Sequence, residues 1–253
     1  MKQRRIIAAV LLAVLISTLC GCSSQVNTYE EDMRKVHVPE ISWYDVERES
    51  VAVSDDDLHE AVQLFLEMNL EPEEDGAGNA DAMNLLTDKV ATGLGYGSAD
   101  ELESFIKETM IRNRSFEEIY YQIISKAAIT GELAGLTHFL DAEYRRQRKS
   151  ASEAGLSMGD YLRDTYGYTK DEFMEENENF YYEMITVGAL AQKLNIYPTK
   201  EQYNDWIVLL AEENQVTPES LEEVFGHEYL IFSFNYDQIR DYFMDNIPLD
   251  FLA

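Results

Sequence analysis

The spacing of apolar side chains along most of this chain is that of amphipathic helices. From residue 54 onward, apolar positions recur every three or four residues, which places them on one face of a helix. Before that point, the segment 36–53 alternates loosely between apolar and polar residues and predicts extended structure. The pattern predicts helices, in chain order, over 55–69, 83–91, 98 to beyond 129, 137–154, 157–165, 170–195, from 199, from 217, and over 228–246.

A helical hairpin is the most sharply marked of these elements. In the stretch 155–176, GLSMGDYLRDTYGYTKDEFMEE, Ser157 is followed three residues later by Asp160, and Thr169 by Glu172. A hydroxyl and a carboxylate at this spacing satisfy the free backbone N–H groups of a helix start. The glycine in the turn at 166–168 allows the chain to reverse, so we expect two capped helices that meet at a tip.

Charge excludes several classes of partner. The chain of 253 residues has a formal net charge of -28, while 45% of its residues are hydrophobic. The hydrophobic share is typical of a folded protein, and the length allows a sizeable core. A polyanion of this size is repelled by phosphate backbones and anionic membrane surfaces, so nucleic acid is not an expected partner.

The N-terminus has the pattern of an export signal. Lys2, Arg4 and Arg5 precede an uncharged apolar run over 6–19 that ends in LCGCSS. Fourteen helical residues span roughly 21 Å, too short for a hydrocarbon core of about 30 Å. The end of the run resembles a bacterial lipobox, in which Cys22 would be lipidated and become the first residue of the mature protein. An ordinary secretory signal or a retained anchor are the alternatives.

These features predict a protein tethered by lipid to the extracytoplasmic face of the cell membrane. The expected divisions are a signal peptide over 1–21, a flexible tether over 22–35, the extended segment 36–53 and one helical domain over 54–253. No cysteine follows Cys22, so the mature chain has no internal disulfide.

The sequence has no pattern that indicates catalysis. The four histidines lie far apart, at no spacing that would make two of them metal ligands on one helix: His37, His59, His138 and His227. No serine has a nucleophile-elbow context, and with 48 acidic residues no pair of carboxylates is informative. We expect no cofactor, no metal and no enzymatic activity. The basic group over 145–149 is expected to form ion pairs with neighbouring acidic helices.

Several stretches together resemble the helical C-terminal domain of the trigger factor family of bacterial chaperones. They are VSDDDLHEAV at 53–62, LLTDKVATGLGYGSADELESFIKETM at 85–110, the hairpin at 155–176, and NIYPTKEQYNDWIVLLAEENQVTPESLEEVF at 195–225. The resemblance covers 53–246 with one gap. It implies a mainly α fold in which long helices form arms on a supporting back.

Two parts of that family are missing from this chain. The Gly-Phe-Arg-x-Gly-Lys-x-Pro signature that binds the ribosome is absent, and an export signal occupies the start. Only about residues 69–84 stand where the prolyl-isomerase domain would lie. The resemblance therefore implies neither ribosome binding nor isomerase activity.

The function predicted from the resemblance is that of an ATP-independent extracytoplasmic chaperone, which binds exposed hydrophobic segments of unfolded or exported proteins. The residues expected to contact clients are Phe139, Tyr144, Met158, Tyr161 and Leu162. The alternative is a non-catalytic surface lipoprotein that acts as a dedicated adaptor for an envelope or secretion component.

Overall fold

A computed structural model describes residues 26–40, 42, 46–70 and 86–248. About 76% of these residues are helical and strand is scarce, so the fold is mainly α, as predicted. The predicted signal sequence, Cys22 and residues 71–85 lie outside the described residues.

The helices and strands, labelled in chain order, have the following bounds. They are α1 (Val26–Met33), β1 (Val36–His37), α2 (Arg48–Val51), α3 (Asp55–Asn69), α4 (Asp88–Gly93), α5 (Ala99–Lys126), β2 (Ala128–Ile129), α6 (Ala134–Glu153), α7 (Met158–Tyr166), α8 (Lys170–Lys193), α9 (Lys200–Asn214), α10 (Pro218–Phe225) and α11 (His227–Asp245).

Local capping explains why the predicted starts of α3, α7, α8 and α9 agree with the structure to within one residue. Ser54, Thr169 and Thr199 each begin a helix with a reciprocal capping box, in which the hydroxyl accepts from the third helical N–H and the third side chain accepts from the cap N–H. Ser157 caps α7 through the N–H of Asp160. These contacts satisfy backbone donors that have no partner inside the helix.

The chain divides into two compact units rather than the one domain predicted over 54–253. The first unit comprises the described residues within Met1–Pro39 and Ile124–Arg240, and the second comprises those within Glu40–Ile123 and Asp241–Ala253. In the second unit, α3 packs against α4 and α5 through a core in which the members are at most 8% exposed: Leu58, Val62, Leu66, Ala91, Leu102 and Ile106.

The first unit is built on α6 and α8, with α7 joining them and α1 packed against both. β1 and β2 form a two-stranded antiparallel pair in which Val36 lies opposite Ile129. The predicted helix beyond 129 therefore ends at Lys126, because residues 128–129 pair with β1 instead of continuing the helix.

The tether predicted over 22–35 is wrong from residue 26 onward. Residues 26–33 form α1, in which Tyr29, Asp32 and Met33 are 5%, 0% and 1% exposed. One glycine in α6 and one in α8 allow α1 to pack closely against these two helices. A Cβ at Gly188 would lie 2.1 Å from Met33 Sδ, and one at Gly135 would lie 3.0 Å from Asp32 Oδ2. Helix α1 is thus an integral part of the first unit.

Asp32 is the centre of a buried polar network between three helices. Its Oδ1 accepts from the Ala134 N–H at 3.0 Å, and its Oδ2 accepts from the Gly135 N–H at 2.7 Å and from the Tyr181 hydroxyl at 2.9 Å. Lys35 Nζ donates to Oδ1 at 2.9 Å. A carboxylate of α1 thereby caps the start of α6, where the helix dipole favours negative charge.

The extended segment predicted over 36–53 is only partly correct. Val36–His37 is a strand, but Arg48–Val51 forms a helical turn with Val51 buried. The helix predicted over 83–91 also differs, since α4 starts at Asp88 and ends at Gly93, and residues 83–85 lie outside the described part of the chain.

Candidate client-binding surface

The hairpin of α6, α7 and α8 positions a group of aromatic side chains at its tip. Gly155 ends α6 with a φ of 70°, and Gly167 ends α7 with a φ of 76°. These left-handed conformations suit glycine, because a Cβ would clash with the backbone. The N–H of Gly167 donates to the carbonyl of Arg163 at 2.9 Å, which closes the last turn of α7 before Thr169 caps α8.

Three tyrosines of the hairpin form what we call the tip cluster: Tyr161, Tyr166 and Tyr168. The ring centroids of Tyr161 and Tyr166 are 6.3 Å apart at nearly a right angle, and the rings of Tyr166 and Tyr168 stack at 6.4 Å. Tyr166 is 44% exposed and Tyr168 is 36% exposed, and Leu156 in the same hairpin is 41% exposed. The hairpin therefore presents aromatic and aliphatic surface to solvent.

Contacts with α6 and with α8 fix the position of the Tyr166 side chain. Its hydroxyl donates to Gln147 Oε1 of α6 at 3.1 Å, and its ring lies 6.4 Å from that of Phe173 in α8. Partial burial and then the nearby Tyr161 raise the pKa of the Tyr166 phenol, which keeps the hydroxyl protonated to a higher pH than that of a free phenol. A fixed aromatic surface loses little conformational entropy when it binds an apolar segment.

The structure separates the five residues predicted to contact clients into different environments. Leu162 is 0% exposed, so its place in that set is wrong: it belongs to the core that holds α7 in position. Phe139 is half-buried, with its ring centroid 5.2 Å from that of Tyr181. Met158 and Tyr161 are also half-buried, and only Tyr161 belongs to the tip cluster.

Tyr144 is half-buried on α6 and interacts with a cation. Lys170 Nζ lies 4.9 Å from the centroid of the Tyr144 ring. This contact occupies one face of the ring, which reduces the area that Tyr144 could offer to a client.

Tyr166 and Tyr168, the most exposed members of the tip cluster, were not predicted from the sequence. The glycine that ends α7 lies between them: Tyr166 is the last residue of α7, and Tyr168 lies between α7 and α8. Segments that connect helices run over the surface, so the turn is a sequence signal that favours partial exposure of both rings.

Acidic side chains accompany the hairpin. Asp160 and Asp164 both lie within 4 Å of the Arg163 guanidinium, and the hydrogen bonds from Ser157 and Arg163 hold the pKa of Asp160 below its usual range.

In the basic group of α6, Arg145 and Arg146 pair with acids of their own helix, Asp141 at 3.9 Å and Glu143 at 2.8 Å. Both pairs lie within α6, whereas the prediction placed the ion pairs between this basic group and neighbouring helices.

The first unit also has a cleft of about 330 Å³ between α1, α9, α10 and α11. Tyr29, Tyr197 and Tyr203 line it together with several charged side chains. We call it the tyrosine cleft. Its lining comes from four separate stretches of sequence, and no single motif marks it.

Within the described ranges, no group of three or more histidine, cysteine or acidic side chains is arranged to hold a metal ion. Nor does any helix there have the length and apolar character needed to cross a membrane. No protein-family model matches the sequence, and comparison with curated proteins and with solved structures finds no similar one.

Proposed function

We propose that this protein is an ATP-independent chaperone that binds exposed hydrophobic segments of unfolded or exported polypeptides. The observation that carries the proposal is the tip cluster, which presents aromatic surface on a rigid hairpin. The trigger-factor-like character of the helical body belongs to the same proposal. It rests on the resemblance of four stretches of the sequence, of which the hairpin is the best matched.

The size of the exposed surface sets the expected affinity. A tyrosine buries about 150–250 Å² when it is fully covered, so Tyr166 and Tyr168 at 44% and 36% exposure each have roughly 50–110 Å² left to bury. At about 25 cal/mol per Å², each ring would contribute roughly 1–3 kcal/mol to client binding. Contacts of this strength suit a protein that holds and releases many different chains.

The net charge of -28 supports the same role, because complexes that repel one another stay dispersed. A chaperone of this kind needs no nucleotide, and the proposal includes no catalytic step. We accordingly expect a proline-peptide assay to show no isomerase activity above background.

Suppression of aggregation tests the proposal. The full chain, reconstituted in nanodiscs of zwitterionic lipid, is mixed with a thermally unfolding client, and light scattering is recorded without nucleotide. We expect the wild type to reduce scattering at equimolar ratio, and Tyr166→Ser/Tyr168→Ser to lose most of this effect. Tyr121→Ser is the control, since Tyr121 is 70% exposed but lies in the second unit.

The proposal fails if the wild type does not reduce scattering at equimolar or higher ratio. It also fails if the tip variant protects the client as well as the control does. Capture of one protein species instead of many unfolded chains would favour the dedicated adaptor.

We also propose that Cys22 is lipidated and holds the protein at the extracytoplasmic face of the cell membrane. The support is the lipobox-like LCGCSS after an apolar run of export-signal length. Cys22→Ala should abolish incorporation of labelled palmitate and leave an uncleaved precursor. Labelling that persists in this variant would contradict the assignment.

A further inference from the structure

The tyrosine cleft combines aromatic rings with an excess of negative charge. Its lining includes the carboxylates of Glu30, Glu222 and Glu228, against one ammonium group, Lys200, which is exposed. Among the described residues that line the cleft, His227 is the other basic side chain. The formal charge of the lining is thus clearly negative at neutral pH.

Hydrogen bonds hold one wall of the cleft in place. Glu222 Oε1 accepts from the Tyr203 hydroxyl at 3.0 Å and lies 3.3 Å from His227 Nδ1. The Tyr203 ring meets the His227 ring edge-on, with the centroids 4.9 Å apart. Both of these contacts are made by Oε1 of Glu222, and neither is made by its second oxygen, Oε2.

Burial and the nearby negative charge raise the pKa values of two tyrosines in the cleft. Burial and then the charge of Glu30 raise the pKa of Tyr197 to about 12. Burial, followed by the charge of Glu222, the hydrogen bond to it and the charge of Glu228, raises the pKa of Tyr203 still further. Burial makes the larger contribution to both shifts, and the smaller contribution from the glutamates reflects a negative potential that also stabilises a cation.

We propose that the tyrosine cleft binds an organic cation, a guanidinium or ammonium group on an aliphatic stem. Carboxylates give such a group charge-assisted hydrogen bonds, and the faces of tyrosine rings attract it through their quadrupole. A volume of about 330 Å³ is at the lower end of the range of small-molecule sites and accepts a group the size of an arginine side chain.

Two sources could supply this chemistry: a basic residue of a bound polypeptide, or a free polyamine. The inference does not rest on the proposed function, because it concerns a different surface and is tested with small probes. If the source is a polypeptide, the cleft would add a contact for basic residues to the apolar contacts of the tip cluster.

Saturation-transfer NMR titrations on the full chain in zwitterionic nanodiscs test the proposal. The probes are N-acetyl-arginine amide, its uncharged isostere N-acetyl-citrulline amide, and spermidine. We expect the arginine probe to bind with a Kd on the order of 1 mM, more weakly at high salt, and the citrulline probe to bind at least about fivefold more weakly. Tighter binding of the arginine probe would identify a basic residue of a polypeptide as the source, and tighter binding of spermidine would identify a free polyamine.

Charge-removing variants locate the binding. Glu222→Gln/Glu228→Gln should weaken binding of the arginine probe about tenfold. Glu212→Gln, which makes the same change on an exposed part of α9 outside the cleft, should leave it unchanged. Tyr197→Leu retains all the carboxylates and should weaken binding about two- to fivefold by removing one ring. It also provides a test if the double variant does not fold, which near-UV circular dichroism would reveal.

Equal binding of the arginine and citrulline probes would overturn the proposal. So would unchanged binding in the folded double variant, or a loss of binding in Glu212→Gln equal to that in the double variant.

Discussion

Replacing Asp32 with alanine should strongly destabilise the first unit, because one buried carboxylate connects three helices there. The substitution removes the acceptor of the Gly135 N–H, of the Tyr181 hydroxyl and of the Ala134 N–H. Lys35 keeps a partner, since its ammonium also donates to the Glu132 carbonyl at 2.6 Å. Three donors are thus left without their acceptor, and two of them are in buried hydrogen bonds.

The magnitude follows from these groups. A buried donor left without a partner costs about 1–3 kcal/mol, and loss of a helix cap costs about 1 kcal/mol. The two buried donors and the cap overlap in the Gly135 N–H, so their costs do not simply add. We expect Asp32→Ala to lower the free energy of unfolding by about 3–5 kcal/mol, toward the upper end of single substitutions.

The pH dependence gives an independent check. Burial of Asp32 raises its pKa, but the hydrogen bonds from Lys35, Gly135, Tyr181 and Ala134 together outweigh burial, and the pKa is lowered overall. A carboxylate with a lowered folded-state pKa adds stability above its unfolded pKa of about 3.9, and this share is lost as pH falls through the folded value. The stability difference between wild type and Asp32→Ala should therefore narrow below about pH 4.

Urea denaturation followed by far-UV circular dichroism measures both effects. Asp205→Ala is the matched control, because Asp205 is exposed on α9, and its effect should stay within about 0.5 kcal/mol. If Asp32→Ala unfolded within about 1 kcal/mol of the wild type at pH 7, the network would not stabilise the unit as described.

Two further predictions concern the packing of the first unit. Gly135→Ala should destabilise it by about 1–3 kcal/mol, because the new Cβ would lie 2.1 Å from the Tyr181 hydroxyl oxygen. A Cβ at Gly159 in α7 would meet nothing within 4 Å, so Gly159→Ala should stabilise the unit by about 0.5–1 kcal/mol. Thermal unfolding of both variants measures these changes, and equal shifts would contradict the close approach at Gly135. Leu162→Ala should cost about 2–5 kcal/mol because Leu162 is 0% exposed, while Leu156→Ala at a 41% exposed position should cost little stability. Denaturant midpoints of the two leucine variants check this, and similar midpoints would place Leu162 outside the core.

Helix starts could be predicted from the sequence because the groups that fix them are local. Ser54, Thr169 and Thr199 lie three residues before the side chains that complete their capping boxes. The helix that starts at 55 ends at Asn69, as the apolar stripe predicts, and Gly167 marks the turn of the hairpin. Where capping residues and apolar periodicity indicate the same boundary, the sequence pattern is sufficient to predict the start and end of a helix.

Contacts between distant segments could not be predicted in this way. Asp32 caps α6 from 103 residues away along the chain, so α6 starts at Ala134, three residues before the predicted start, with no local capping side chain. α1 has only eight residues, too few to show a helical period, and its polar Asp32 is buried because of that distant cap. The tyrosine cleft was missed for the same reason, since Glu222 and His227 contact Tyr203 only in the folded chain.

Photo-crosslinking at the tip cluster tests the proposed client binding most directly. A benzoylphenylalanine in place of Tyr168 should crosslink to several unrelated unfolded polypeptides and not to the same polypeptides when folded. The same group in place of Tyr121, which is 70% exposed in the second unit, should give little product. Strong crosslinking at Tyr168 alone is the predicted result, and equal crosslinking at both positions, or none at Tyr168, would contradict it.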